Sequence, residues 1–312
     1  MKKHPYFILI ILATLFTFCG AENEEITPEV IIEPEEELIE VSDFSPDKNT
    51  PKVYKGMTLV WNEEFDIDGK VDKNDWNFEE GFVRNSELQW YQEENTIIKN
   101  HTLVIEGKRE TVVNPNYDGS SSNWRINRQT AEYTSSSITT QGKHSWKYGR
   151  IEIRAKIPTK KGAWPAIWTL GTKGEWPSCG EIDILELYRK KGEPIILANF
   201  AWGSEDRWES VWNTGVKPLS EFMAADSQWE DKFHVWRMDW DATNISIYLD
   251  NELLNSHSTK QKNVTNEFSN LEYPFDQEHF LLLNLAIGSN GGNPSKTEFP
   301  LKYEIDYVRV YQ

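Results

Sequence analysis

Two cysteines among 312 residues, Cys19 and Cys179, are too few for a disulfide framework. Cys19 falls in what reads as a processed leader, so the folded part has neither an internal disulfide nor a cysteine-based metal site. Basic runs are missing as well. The formal charge is −17, residues 22–47 hold 11 acids and no lysine or arginine, and from Lys48 onward 39 acids face 31 bases. That balance argues against a nucleic-acid backbone as partner, because phosphate binding relies on clustered cations. No apolar run is long enough to span a bilayer comfortably, and no internal repeat of the propeller kind is present. His101, His144, His234, His257 and His279 are scattered, and no His-Glu-x-x-His, Gly-x-Ser-x-Gly or phosphate-loop pattern occurs. Zinc hydrolysis, serine catalysis and nucleotide use therefore lack support. What the chain does have is aromatic mass: 14 Trp, 12 Tyr and 14 Phe, enough apolar area for a substantial core.

The amino end reads as an export signal. Lys2, Lys3 and His4 precede thirteen apolar-rich residues, Tyr6 to Phe18. The run ends in Leu15-Phe16-Thr17-Phe18-Cys19-Gly20, which resembles the lipobox of bacterial lipoproteins, and this implies a signal peptide over 1–18 and a lipidated Cys19. Phe18 departs from the small residue usual before that cysteine, and a plain signal peptide with an incidental cysteine is the other reading. Residues 19–51 are rich in Glu and carry Pro28, Pro34, Pro46 and Pro51, so they read as an extended acidic linker. A membrane is then met only through the lipid. An outer-membrane or cell-surface lipoprotein is expected, otherwise a periplasmic or secreted protein.

From residue 52 to 312 short stretches alternate apolar and polar residues. Examples are Leu103-Val104-Ile105-Glu106, the run Gly149 to Ile157, Ile245 to Asp250, and Tyr307-Val308-Arg309-Val310-Tyr311. Period-two alternation marks half-buried antiparallel strands, and turn residues such as Asp68-Gly69 and Asn290-Gly291-Gly292 separate them. The expectation is a single all-β sandwich, with part of one sheet lining a groove.

One stretch carries chemistry: Trp176-Pro177-Ser178-Cys179-Gly180-Glu181-Ile182-Asp183-Ile184-Leu185-Glu186-Leu187. On a strand, Glu181 and Asp183 share a face, and Glu186 joins them only if a β-bulge absorbs one residue, here expected to be Leu185. Like charges so placed are destabilising neighbours. Two carboxylates about 5–5.5 Å apart serve a retaining glycosidase as nucleophile and acid/base, and a third between them pushes their pKa values apart. An exposed acidic strand, or a cation site built from the three carboxylates, is the alternative.

Glu-Ile-Asp-Ile-Leu-Glu after Trp-Pro-x-x-Gly resembles the active-site strand of glycoside hydrolase family 16, in its bulged, laminarinase-like branch. Leu59 to Phe65, Asn85 to Tyr91, Tyr148 to Glu152, Trp164 to Leu170, Phe233 to Trp236, Leu283 to Gly288 and Asp306 to Tyr311 resemble other parts of the family in the same order, over roughly residues 57–312. The resemblance implies a β-jelly-roll (concanavalin-like) with a substrate cleft on its concave sheet. It also implies Glu181 as nucleophile, Asp183 as its electrostatic assistant and Glu186 as acid/base. Related laminarinases commonly carry a His-Tyr or His-Phe pair on the following strand, where this chain has Asn199-Phe200-Ala201-Trp202.

Tryptophan offers a flat face to sugar C–H groups and an N–H to hydroxyls, yet it is also an ordinary core residue. Trp164, Trp168 and Trp176 are cleft candidates beside the catalytic stretch, with Asn85, Asn199 and Trp202 as further substrate contacts. Trp61, Trp236 and Trp240 fit the core. No cofactor is expected for catalysis. The resemblance suggests a structural Ca²⁺ near Glu64 and Asp306, where oxygen ligands suit the ion. The expected activity is retaining hydrolysis of β-1,3 or mixed β-1,3/1,4-glucan by a monomer. Hydrolysis of a galactan, or glycan binding without turnover, are the alternatives.

Overall fold

The computed structural model describes residues 42–264 and 271–312. The signal segment 1–18, Cys19 and the linker up to residue 41 lie outside the described residues.

Alternating burial along the strands builds two antiparallel sheets that face each other across one core. Strand His234–Trp240 is typical, with every second residue buried. The first sheet runs in the order Glu252–Ser258, Asn244–Leu249, His234–Trp240, Gly149–Lys156, Leu301–Tyr311, Leu103–Gly107 and Thr96–Ile98, with Leu59–Glu63 also paired to Leu301–Tyr311. The second runs Ser210–Pro218, Glu193–Gly203, Glu181–Lys190, Ala163–Gly171, His279–Ile287, Ser137–Thr139 and Asn77–Phe78. Trp76, Trp236, Ile153, Ile182, Leu185, Phe200 and Val308 are among the fully buried side chains between them. Among the described residues the one α-helix is Leu219–Ala225. Trp236 and Trp240 sit in this core, and Trp61 packs against it, as their alternating patterns require.

The folded part starts earlier than the composition suggested. Residues 42–51, assigned from sequence to the acidic linker, are pinned to the first sheet. Buried Arg154 donates to the carbonyls of Ser42 and Ser45, both at 2.9 Å. The Asp47 N–H donates to Asp306 Oδ2 at 2.9 Å, and the Phe233 N–H to the Asp43 carbonyl at 2.7 Å. Composition reports net charge and proline; it does not report that two arginines on adjacent strands far apart in sequence, Arg154 and Arg309, leave donors aimed at a passing backbone.

The same residues decide the calcium expectation. Glu64 is held side-on by Arg309, with Nε and Nη2 at 2.9 and 2.7 Å from its two oxygens. Asp306 Oδ2 lies 2.5 Å from Arg154 Nη1. Each carboxylate is already neutralised by a guanidinium, and a divalent cation there would meet two fixed positive charges. Glu64 and Asp306 therefore do not fit a calcium site, and the expectation is corrected: arginines fill the electrostatic role.

Candidate active site

The catalytic strand Glu181–Lys190 owes its place to Ile182, Ile184, Leu185 and Leu187, all fully buried. Gly180 precedes it with φ +82°, and a Cβ there would lie 3.0 Å from the Pro274 carbonyl, so the entry to the strand demands glycine. Along the neighbour Ala163–Gly171, Leu170 faces Glu181, Trp168 faces Asp183, Ile167 faces Leu185 and Ala166 faces Glu186. The residue without a partner is Ile184. The expected bulge is present: toward Ala163–Gly171 Leu185 keeps a partner and Ile184 is extra, while toward Glu193–Gly203 neither Ile184 nor Leu185 is paired. Both side chains go into the core, because each is apolar and each has room there. The bulge returns Glu186 to the face of Glu181 and Asp183.

A single amide organises the carboxylates. Asn199, opposite Asp183 on strand Glu193–Gly203, donates from Nδ2 to Asp183 Oδ2 and to Glu186 Oε2, both at 3.0 Å. The remaining oxygen of Glu186 accepts from Trp164 Nε1 at 3.1 Å, and Glu181 Oε2 accepts from Trp176 Nε1 at 2.5 Å. Asp183 Oδ1 is buried and accepts no hydrogen bond from the described residues. That leaves Oδ1 as the position for a proton, which it then donates toward Glu181.

Burial raises all three acids, since taking a carboxylate out of water penalises its charged form. Asp183 is pushed well above the ordinary range, by burial first and then by the charges of Glu186 and Glu181. Burial, then the charge of Glu181, lifts Glu186 to about 7. Glu181 is raised by burial but drawn back down by the Trp176 N–H, by the Asp183 hydrogen bond and by the charge of Arg84. Burial thus favours the protonated form of all three, and strongly at Asp183, while the Arg84 charge and two hydrogen bonds oppose it at Glu181. That differentiation is what an assistant, an acid/base and a nucleophile require.

The acids open into a cleft of about 610 Å³ that crosses the sheet on both sides of the catalytic strand. On one side it is lined by Arg84, Asn85, Arg125, Trp164 and Trp168, on the other by Ser210 and Trp212, and Trp176, Leu170, Tyr188 and Asn290 complete it. Trp168 is clamped. Its Nε1 donates to Asn284 Oδ1 at 2.7 Å, and Arg84 lies over its ring at 4.9 Å, while Arg84 is itself ion-paired with Glu79. Asn85 sits at the cleft on a loop tied to buried Glu87, which accepts from Asn85 Nδ2 at 3.3 Å and Gln89 Nε2 at 2.6 Å.

The structure thus brings Glu181, Asp183, Glu186, Asn85, Trp164, Trp168 and Trp176 together. Asn199 belongs to the same site but lies beneath the carboxylates, 3% exposed, as their hydrogen-bond donor and not as a sugar contact. Trp202 is a correction. It points into the core, stacked on His257 at 4.8 Å, as does Phe200 at 5.2 Å. Alternation explains it: residue 199 faces the acids, so 200 and 202 face the other way. Arg125, Tyr188, Ser210, Trp212 and Asn290 were not singled out from sequence. Only the pairing of Trp212 with Ala201, and of Ala201 with Glu181, reveals where Trp212 stands.

A sandwich with a carboxylate triad on a bulged strand under a tryptophan-lined cleft is the architecture of a polysaccharide-cleaving glycosidase. The chain belongs to glycosyl hydrolases family 16, whose model matches residues 84–309, and its fold is the family's jelly-roll. It is 29% identical over 310 residues to "Glucan endo-1,3-beta-glucosidase A1" of Niallia circulans, covering 95% of this chain but 42% of that protein. Among solved structures it is similar to the laminarinase catalytic domain from Thermotoga maritima, with 35% identity, TM-score 0.66, and coverage of 82% of this chain and 98% of that one. It is also similar, with 32% identity, TM-score 0.74 and coverage of 84% and 94%, to a structure described under "Prominent members of the human gut microbiota express endo-acting O-glycanases to initiate mucin breakdown".

Proposed function

We propose that the chain is an endo-β-1,3(4)-glucanase that cleaves β-1,3 or mixed-linkage β-1,3/1,4-glucan with retention of configuration. The observation that carries this reading is the differentiated triad within a cleft open on both sides of the catalytic strand. The names of the Niallia circulans and Thermotoga maritima proteins support the glucan. Glu181 attacks the anomeric carbon while Glu186 protonates the departing glycosidic oxygen, giving a glycosyl ester on Glu181. Glu186, now a carboxylate, takes a proton from water, which attacks the same carbon and frees Glu181. Asp183 holds its proton on the Glu181 side throughout and stabilises the leaving carboxylate. No step needs a cofactor.

A mucin glycan is the second reading, favoured by the higher TM-score to the O-glycanase structure, and a galactan is a third reading that the same assay tests. Reducing-sugar release from laminarin, mixed-linkage glucan, cellulose, agarose and mucin decides between them. Release from the first two, abolished in Glu181→Gln, supports the glucanase. Release from mucin or agarose alone contradicts it.

The amino end supports a lipoprotein reading on sequence alone. Lipidation at Cys19 predicts that Cys19→Ala shifts the exported protein from the membrane to the soluble fraction at unchanged specific activity. Equal membrane association would refute it.

A further inference from the structure

We infer that Trp212 is a sugar-binding platform on the leaving-group side of the cleft and governs how tightly the departing glycan and incoming acceptors are held; this rests on the endo-glucanase reading. Three observations carry it.

Trp212 stands in one cross-strand row with the nucleophile: Glu181 faces Ala201, and Ala201 faces Trp212 on the edge strand Ser210–Pro218. Ala201, the one residue between them in that row, is fully buried and places no large side chain between indole and carboxylate. The facing is fixed independently. Asn213, the next residue, hydrogen-bonds His257 Nδ1 at 2.9 Å beneath the sheet, so Trp212 points the opposite way, into the cleft it lines. Finally, Trp212 remains 44% exposed, whereas Trp164 and Trp168, across the catalytic strand, are 4% and 8% exposed and saturated by hydrogen bonds and ring contacts. An edge strand gains nothing from an uncovered indole; charged residues are the usual protection there. A flat apolar face beside the Ser210 hydroxyl matches a pyranose, which has C–H groups on its face and hydroxyls at its rim.

The two arms of the cleft follow from the sheet order. Arg84, Trp164 and Trp168 lie on one side of the catalytic strand, and Trp212 lies two strands away on the other. Glu186 accepts from Trp164 on the first side and from Asn199 on the second, so the acid/base serves both arms of the cleft. The sugar beyond the scissile bond takes the arm of Trp212 in this proposal, and transfer to added acceptors reads that side.

The test uses the full chain and its Trp212→Ala and Trp212→Phe variants with β-laminaribiosyl fluoride, whose leaving group is a single atom. Glu181 displaces fluoride to form the glycosyl ester, which passes either to water or to a hydroxyl of added laminaribiose or cellobiose. Trp212→Ala should hydrolyse the fluoride within about twofold of wild type. Its transfer to acceptor, and its kcat/KM on polymeric glucan through KM, should fall about tenfold, equivalent to about 1.4 kcal/mol, with Trp212→Phe restoring most of both. Unchanged transfer and unchanged KM in a folded Trp212→Ala would overturn the platform. Failure of the wild-type chain itself to cut glucan would instead overturn the glucanase reading beneath it.

Discussion

Asn199 decides where protons sit. Because its amide occupies Asp183 Oδ2 and Glu186 Oε2, Oδ1 is the oxygen left to carry the proton of Asp183, and Glu186 keeps an oxygen for Trp164. Two predictions follow at this scale. Glu186 must be protonated to act, and its pKa is lifted to about 7. On polymeric substrate kcat/KM should thus fall about tenfold per pH unit above that value, and with an activated aryl glycoside the fall should disappear. A flat profile to pH 9 on polymer would contradict the assignment. The second prediction concerns stability. Asp183 is raised in the folded state, so folding retains a proton that the unfolded chain releases above about pH 3.9. Stability is therefore lost as pH climbs from the unfolded value toward the folded one. Asp183→Asn, which accepts and donates in the same places without having to take up a proton, should melt a few degrees higher than wild type at pH 7 and equally near pH 3.5. A lower melting temperature at pH 7 would refute it. The acids themselves could be read from sequence, because three carboxylates in Glu-x-Asp-x-x-Glu have no structural use on a half-buried strand. Asn199 was found but misassigned, since its partners are set by cross-strand register.

On the scale of the strand, the bulge is what makes the triad. Without it Glu186 would lie on the core face with Ile182, at severe cost for a buried charge. Spacing alone announced that a bulge had to exist. Which residue is unpaired depends on the neighbour Ala163–Gly171, where Ile167 keeps Leu185 and skips Ile184, and no local pattern encodes that choice. Removing Ile184 should give a regular strand in which all three acids still face the cleft. We expect a folded protein, because the apolar-in order is preserved, with kcat reduced at least about a hundredfold from the shifted acid/base. Kinetics alongside far-ultraviolet circular dichroism would check this. Near-normal kcat would show that the bulge does not set the position of Glu186. Trp202 teaches the complementary lesson: a strand's parity, once one residue is fixed, outweighs residue type, and an aromatic next to an active site goes to the core when its parity sends it there.

At the scale of the whole molecule, a second cluster of buried charge lies away from the cleft, on the first sheet. Arg154 and Arg309, 4% and 1% exposed, join Asp306, Glu64 and the backbone of residues 42–49. Composition led to a linker ending at residue 51, whereas the buried Arg154 guanidinium needs the carbonyls of Ser42 and Ser45 as acceptors, and Arg309 that of Asn49. A chain beginning at Lys52 leaves buried cationic donors unmatched, at about 1–3 kcal/mol for each. Its melting temperature should drop by at least several degrees relative to a chain beginning at Ser42, with kcat/KM little changed, because the cleft lies on the other sheet. Equal melting temperatures would show that the segment adds nothing. Since arginines occupy the region where calcium was expected, adding EDTA or Ca²⁺ should move neither transition by more than about 1 °C, and a clear calcium-dependent rise would contradict the arginine reading.

The assignment of roles within the triad is tested most directly by azide rescue. In Glu186→Ala an activated aryl β-glycoside still forms the ester on Glu181, because its leaving group needs little protonation. Azide, small enough for the space left by Glu186 and needing no base, should restore turnover and give the β-glycosyl azide, since two displacements at one carbon return its starting configuration. An α-glycosyl azide, or rescue in Glu181→Ala in place of Glu186→Ala, would mean that Glu186 is the nucleophile and that the roles drawn from the geometry are reversed.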